Sequence, residues 1–323
     1  MSARPVEPRI DRSLRLELQG DWGMANLHRV CGWISQELTD RAGPHTRVGI
    51  WNGRGFSDNV RAVGRGVVDI ALTTPAAFTA VALDGRGTYR DEHYPGLRAL
   101  GVVPQRDRLV CAVHARHGIG SFAELRERKP ALRVATSVDD GINAVGLAAH
   151  ELLARSGVDI EAWGGQFLGD ERPFESFDHV LVGRADAIVH EAVMLPQWQQ
   201  FGGDFHFLEV EPEVLASFDR DFGWPAATVA DEFFPGRSAF QTLDFSDFLV
   251  VTRADLPEDV AYAVAWVLGE TRHLLEAQYL HIAPERSPVT YPLDPQTMGR
   301  TPIPLHPGAA AYYQALPGAE FAS

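Results

Sequence analysis

The stretch Leu14–Trp51 reads LRLELQGDWGMANLHRVCGWISQELTDRAGPHTRVGIW. Leu14, Leu16 and Leu18 alternate with polar residues, the period of a strand with one buried face. The run stops at Gly20-Asp21-Trp22-Gly23. Beyond it Leu27, Val30, Cys31, Ile34 and Leu38 share one face of a helix, and Arg47-Val-Gly-Ile-Trp51 is a second short strand. Strand, helix and strand in this order predict a parallel pair with a right-handed crossover.

Outward from that unit the alternation continues. After the polar loop Asn52-Gly-Arg-Gly-Phe-Ser57, Ser57 or Asp58 is placed to cap a helix carrying Val60 and Val63. Residues 67–72 read as a third strand, and Thr73-Thr74-Pro75 as the opening of a helix with proline in its first turn. Residues 84–96 form a surface loop, and 97–103 and 109–113 read as strands. Ser121-Phe-Ala-Glu124 is a capping box. A strand over 132–136 leads through the turn Ser137-Val-Asp-Asp-Gly141 to a helix with the stripe Ile142, Val145, Ala149, Leu152, Leu153. A strand over 185–189 ends at His190-Glu191, another lies within 244–251, and Pro257 begins a long helix to about Tyr279. Repeated βα units give an α/β fold with mostly parallel sheets flanked by helices.

The 323 residues are 45% hydrophobic, enough for a sizeable core and, by length, for two lobes. With 29 Lys+Arg against 43 Asp+Glu the formal charge is −14, which argues against nucleic acid and anionic lipid as partners. No apolar run reaches the roughly 18 residues of a membrane span, so no direct membrane insertion is expected. Residues 1–13 (MSARPVEPRIDRS) carry arginines but no apolar stretch, unlike a secretory signal. The expected location is cytoplasmic if Met1 is the natural start, and extracytoplasmic (periplasmic) if a signal has been removed. Cys31 and Cys111 read as buried small hydrophobes.

In sheets of this kind ligands meet the loops beyond the carboxyl ends of the strands. Those loops are residues 20–26, 52–59, 73–74, 137–143 and 190–194. They supply the candidate ligand-binding residues Asp21, Trp22, Asn52, Arg54, Ser57, Asn59, Thr73, Thr74, Ser137, Asp139, Asp140, Asn143, His190 and Glu191.

Five stretches in order resemble one family: Ile303-Pro-Leu-His-Pro-Gly-Ala-Ala-Ala-Tyr-Tyr313, Val251-Thr-Arg-Ala-Asp-Leu-Pro-Glu-Asp-Val260, Asn52-Gly-Arg-Gly-Phe-Ser-Asp-Asn59, Val67-Val-Asp-Ile-Ala-Leu72 and Arg184-Ala-Asp-Ala-Ile188. The chain resembles, nearly end to end, the TAXI-type solute-binding receptors of TRAP transporters, within the class II periplasmic-binding-protein superfamily. The resemblance implies two α/β lobes with a ligand cleft between them. The first lobe would hold residues 1–111 and the returning segment 250–323, and the second residues 112–249. Crossing strands near 109–114 and 247–252 would serve as hinges for closure. It also implies TRAP-type membrane permease subunits as partners and no required cofactor. The chain departs from the family at Asp21-Trp22, Asp139-Asp140 and His190-Glu191, so the ligand does not carry over.

Each candidate has two readings. Asp139 and Asp140 cap a helix, or grip an ammonium group or a metal. Arg54 is a solvated loop residue, or an anion clamp with planar donors. Trp22 is a core residue, or an aromatic wall over a ligand. His190 and Glu191 are loop structure, or an acid–base pair. Asp21, Asp140, His190 and Glu191 together would form a mixed nitrogen and oxygen set for a divalent metal such as Zn²⁺, Mn²⁺ or Fe²⁺. Two functions follow. The first is a receptor for a small polar or aromatic carboxylate-type metabolite. The alternative is a cytoplasmic lyase, decarboxylase-like and metal-assisted, using His190 and Glu191 as catalytic residues. No Gly-x-Ser-x-Gly elbow, Walker loop or zinc helix motif is present.

Overall fold

The computed structural model describes residues 5–23 and 25–318. The first four residues of the 1–13 stretch, Met24 of the 20–26 loop and residues 319–323 of the returning segment lie outside them.

The chain forms two units, residues 1–106 with 246–323, and residues 107–245. Unit 1 begins β1 (Arg15–Gln19), α1 (Asn26–Arg41), β2 (Arg47–Trp51), α2 (Ser57–Gly64), β3 (Ile70–Thr73), α3 (Val81–Asp84) and β4 (Leu97–Val103). Unit 2 follows with β5 (Arg108–His114), α4 (Phe122–Arg128), β6 (Arg133–Ser137), α5 (Ala144–Arg155), β7 (Gln166–Asp170), α6 (Pro173–Leu181) and β8 (Ala187–His190). It ends with α7 (Pro196–Gln200), β9 (Phe205–Leu208), α8 (Pro212–Phe222), β10 (Ala226–Val229) and β11 (Phe240–Asp244). The return to unit 1 is β12 (Phe248–Arg253), α9 (Glu258–Glu270), α10 (Arg272–Glu276), α11 (Pro295–Met298) and α12 (Pro307–Gln314).

In unit 1 the strand order is β2-β1-β3-β12-β4. β1 runs parallel to β2 and β3, while β12 is antiparallel to β3 and β4. The leucine alternation in β1 buries Leu16 and Leu18, and the α1 stripe of Leu27, Val30, Cys31, Ile34 and Leu38 joins them in a core shared with α9 and α12. In unit 2 the order is β10-β11-β5-β8-β6-β7, with β9 also paired to β5. β6 is parallel to β7 and β8, and β8 is antiparallel to β5. The two units therefore repeat one plan: a βαβαβ segment whose first strand lies in the middle, closed by an antiparallel strand. The unit 2 core is aromatic. Trp198 meets Phe177 edge-on at 5.2 Å between ring centroids, and Phe207 stacks on Phe234 at 4.1 Å.

Several local expectations change. The third strand starts at Ile70 rather than 67, because the Val67 N–H bonds back to Ala62 O and closes α2, leaving Val67 exposed. Thr74–Pro75 is a cis peptide, and helix begins only at Ala77. Neither Ser57 nor Asp58 caps α2: its N-cap is Phe56, and the Asp58 carboxylate instead accepts the N–H groups of Arg54 and Phe56. The helix begun at Pro257 ends at Glu270. There the Thr271 hydroxyl bonds Val267 O and accepts Trp33 Nε1, and α10 starts afresh. The expected hinge strands each pair inside one unit, β5 with β8, β9 and β11, β12 with β3 and β4. The crossings fall just ahead of them, at 106–107 and 245–246, so boundaries at 111 and 249 would cut hydrogen-bonded ladders. Cys31 and Cys111 are free and buried, and burial pushes the Cys111 thiol up to about 12.

Candidate functional site

In unit 1 the parallel strands β2, β1 and β3 end at one edge of the sheet, and the three loops leaving them are tied together. Gly20 N–H donates to Trp51 O, Gly53 N–H to Asp21 O at 3.1 Å, and Thr74 N–H to Gly55 O at 3.0 Å. Asn59, fully buried, donates from Nδ2 to Gly20 O at 2.8 Å and Leu72 O at 2.6 Å, clamping the ends of β1 and β3. The Thr73 hydroxyl bonds Phe56 O, and Thr74 Oγ1 accepts Gln105 Nε2 at 3.2 Å. The structure thus gathers Asp21, Trp22, Asn52, Arg54, Ser57, Asn59, Thr73 and Thr74 along one edge.

Their roles differ. Asp21 is buried, and its oxygens accept the N–H groups of Gly23, Ala25, Leu27 and His28, the last two in the first turn of α1. That is the capping role, which a carboxylate at a helix start performs through both hydrogen bonding and the helix dipole. Trp22 is half-buried, and its Nε1 is enclosed with no hydrogen-bond partner among the described residues. Ser57 is buried at the start of α2, where its hydroxyl accepts Arg61 Nη1. Asn52 is exposed and Arg54 half-buried. A surface depression lined by Arg15, Glu17, Arg47, Val48 and Gly49 lies on the β1–β2 pair and includes none of these residues.

Unit 2 repeats the arrangement at the ends of β8, β6 and β7. Ser137 Oγ and His190 Nε2 are 3.2 Å apart, both side chains buried. Asn143 is the N-cap of α5, accepting the N–H groups of Val145 and Gly146, and Asp140 Oδ1 accepts those of Ile142 and Asn143. Asp139 is exposed. Glu191 adjoins Asp107, a buried residue outside the strand-end loops; a signal was available, since Gln105-Arg-Asp107 interrupts two apolar strands with polar residues. Among the described residues no group of three or more His, Cys, Asp or Glu side chains is placed to hold a metal ion.

Burial pulls the His190 imidazole down to about 4, so it is neutral at pH 7. The lowered value has a consequence for stability. Above the unfolded pKa of about 6.5 both states are neutral and nothing is lost; as pH falls towards 4 the unfolded state gains the proton and the folded state resists it. The cumulative loss is about 3 kcal/mol by pH 4. Urea denaturation at pH 7 and pH 4 should therefore show a smaller decline in His190→Gln than in the parent, and parallel declines would refute the assignment.

The two repeated βαβαβ units, each closed by an antiparallel strand and carrying polar loops at its strand ends, give an α/β fold of the kind seen in periplasmic binding proteins. A family profile described as NMT1-like matches residues 29–315, and the chain belongs to that family. No curated protein matches it in sequence. Among solved structures it is similar to the periplasmic binding protein BugD, at 11% identity and TM-score 0.50 over 93% of each chain. It is similar too to a TctC solute-binding protein from Polaromonas, at 13% identity and TM-score 0.50, over 93% of this chain and 97% of the other. At such identities the likeness concerns the fold. Among the described residues no helix is long and apolar enough to cross a membrane.

Proposed function

We propose that this protein is a small-molecule solute receptor, of the TAXI type, that binds a polar or aromatic carboxylate-type metabolite through its strand-end loops. The observation that carries the reading is the repetition in both units of a polar strand-end edge, tied by the Asn59 amide and Thr73 hydroxyl in unit 1 and by the Ser137 hydroxyl and neutral His190 imidazole in unit 2. The solved structures it is similar to include proteins described as periplasmic or solute-binding, which supports the same reading. Arg54, Ser57, Thr73 and Thr74 would orient the acidic or polar end, and Ser137 and His190 would meet a hydrogen-bonding group. Delivery to membrane permease subunits of the TRAP type is part of the proposal.

The test is equilibrium dialysis of dilute purified protein against a metabolite pool, with and without divalent metals, read by mass spectrometry in both compartments. Retention of one compound to one equivalent, with no new mass, is expected. Consumption well beyond one equivalent with a matching product would overturn the receptor in favour of an enzyme, and no retention at all would overturn it outright.

A further inference from the structure

Asp107 is the first residue of unit 2, where the chain enters it from unit 1. Its buried carboxylate collects backbone donors from two places. Oδ1 accepts Arg108 N–H at 2.7 Å and Val193 N–H at 3.0 Å, and Oδ2 accepts Ala192 N–H at 3.0 Å. The Glu191 side chain is a further hydrogen-bonding neighbour of this carboxylate. A carboxylate has about four acceptor sites and no donor, so two ionised groups cannot bond to each other. One proton must lie between them, and the three amides aimed at Asp107 place it on Glu191.

The surroundings agree. The Arg108 guanidinium is turned to the Asp107 carbonyl and to Asp244. His190 Nδ1 is 3.8 Å from Glu191 Oε1 but belongs to a neutral ring, and Trp198 Nε1 reaches only the Glu191 carbonyl. Among the described residues no cation is therefore placed to hold both carboxylates ionised. Burial and the neighbouring Asp107 charge push Glu191 well above the usual carboxylate range. Ala192 sits at φ +60, a left-handed conformation unfavourable for a non-glycine residue, and both amides of that turn point at Asp107.

We propose that Asp107 and Glu191 form a one-proton carboxyl pair that fixes the turn at residues 190–193, and His190 with it. The strand-end edge of unit 2 then offers a ligand an uncharged hydrogen-bonding face instead of a carboxylate. The last clause rests on the solute-binding reading; the pair itself does not. The ligand group meeting unit 2 is then a neutral hydroxyl, carbonyl, amide or ring nitrogen, not an ammonium group or a metal. Asp107 and Glu191 act as positioning residues.

The test compares parent, Glu191→Gln and Asp107→Asn without ligand. Infrared difference spectroscopy at neutral pH should show a protonated carboxyl band in the parent that Glu191→Gln removes. Glutamine donates to Asp107 as a protonated glutamate does, so hydrogen exchange at residues 192–193 should stay within about threefold of the parent. Asp107→Asn loses charge-assisted bonds and should exchange about tenfold faster or more. Raising the pH should loosen the turn in the parent but not in Glu191→Gln, because a raised pKa gives stability that is lost as pH rises through it. Titration with Mn²⁺ alone should give the same isotherm for both proteins. Absence of the carboxyl band, equal loosening in Glu191→Gln and Asp107→Asn, or Mn²⁺ affinity that falls in Glu191→Gln would each overturn the proposal. Should Asp107→Asn fail to fold, the infrared comparison decides alone. These readouts use no organic ligand, so they fail independently of the dialysis.

Discussion

Gly308→Ala is expected to destabilise unit 1 by about 3 kcal/mol, although it adds only one methyl group and brings in the residue type that favours helix most. Gly308 lies in the first turn of α12, against α9. A Cβ there would stand 2.1 Å from Glu258 O, 2.9 Å from Glu258 C and 3.0 Å from Tyr262 N, all backbone atoms that no rotamer change can move. Gly269, near the other end of α9, makes the reciprocal approach, with a Cβ position 1.7 Å from Tyr312 Oη. The helices would have to separate, and α12 would carry away the Tyr312 bond to Glu270 Oε1 at 2.9 Å and the Tyr313 bond to Leu100 O at 3.1 Å. Gly32→Ala provides the contrast. Gly32 is exposed within α1 and a Cβ meets nothing within 4 Å, so helix propensity alone should stabilise the protein by about 0.5–1 kcal/mol. Chemical denaturation of both variants gives the answer: a loss below about 1 kcal/mol at Gly308 would mean that the helices yield.

That close approach also explains why the segment from Ile303 to Tyr313 was readable. The roles of its special residues follow from their residue types. His306 caps α12 through Gly308 N–H, Pro307 opens the helix, and glycine and tyrosines fit it to its neighbours. The β1-α1-β2 unit was readable for a similar reason, since its apolar periods coincide with the buried faces. Much of unit 2 beyond α5 was not. β7 and β10 are short and partly exposed; burial along β7 does not alternate, and β10 buries only Val229, so no apolar period marks them. The site was half legible. Strand-end logic located Ser137 and His190, which do meet. It could not tell Asp21, whose oxygens turn back to its own helix, from a carboxylate aimed at a ligand, because both require an aspartate just beyond a strand. Asp107 is marked in the sequence only as part of a polar break between two apolar strands; its partners, Ala192 and Val193, lie far away in sequence and their backbone amides leave no signature in residue type.

Asp186→Asn should cost unit 2 about 2–3 kcal/mol at pH 7, whereas Asp69→Asn should cost unit 1 less than about 1 kcal/mol. The two aspartates hold equivalent places. Each precedes the third strand of its βαβαβ segment and hooks the first strand through the same pair of bonds. Asp69 N–H donates to Glu17 O at 2.9 Å and its Oδ2 accepts Glu17 N–H at 2.8 Å; Asp186 N–H donates to Arg133 O at 2.8 Å and its Oδ2 accepts Arg133 N–H at 3.0 Å. An asparagine oxygen can keep the hook in both. What differs is charge. The Asp186 side chain is only 8% exposed and carries the Arg133 guanidinium, with Nε at 2.8 Å, together with Arg116. Burial alone would raise its pKa, but the two guanidinium groups and the Arg133 amide outweigh that and hold the carboxyl far below the usual range. Breaking a buried ion pair costs about 3–5 kcal/mol, and the loss here is smaller because both arginines are nearly half exposed. A depressed pKa gives stability that is present above the unfolded value of about 4 and lost as pH falls below it. The gap between parent and Asp186→Asn should accordingly narrow when urea denaturation is repeated at about pH 3. A gap that persists there, or an equal cost at Asp69, would assign the effect to shape instead of charge.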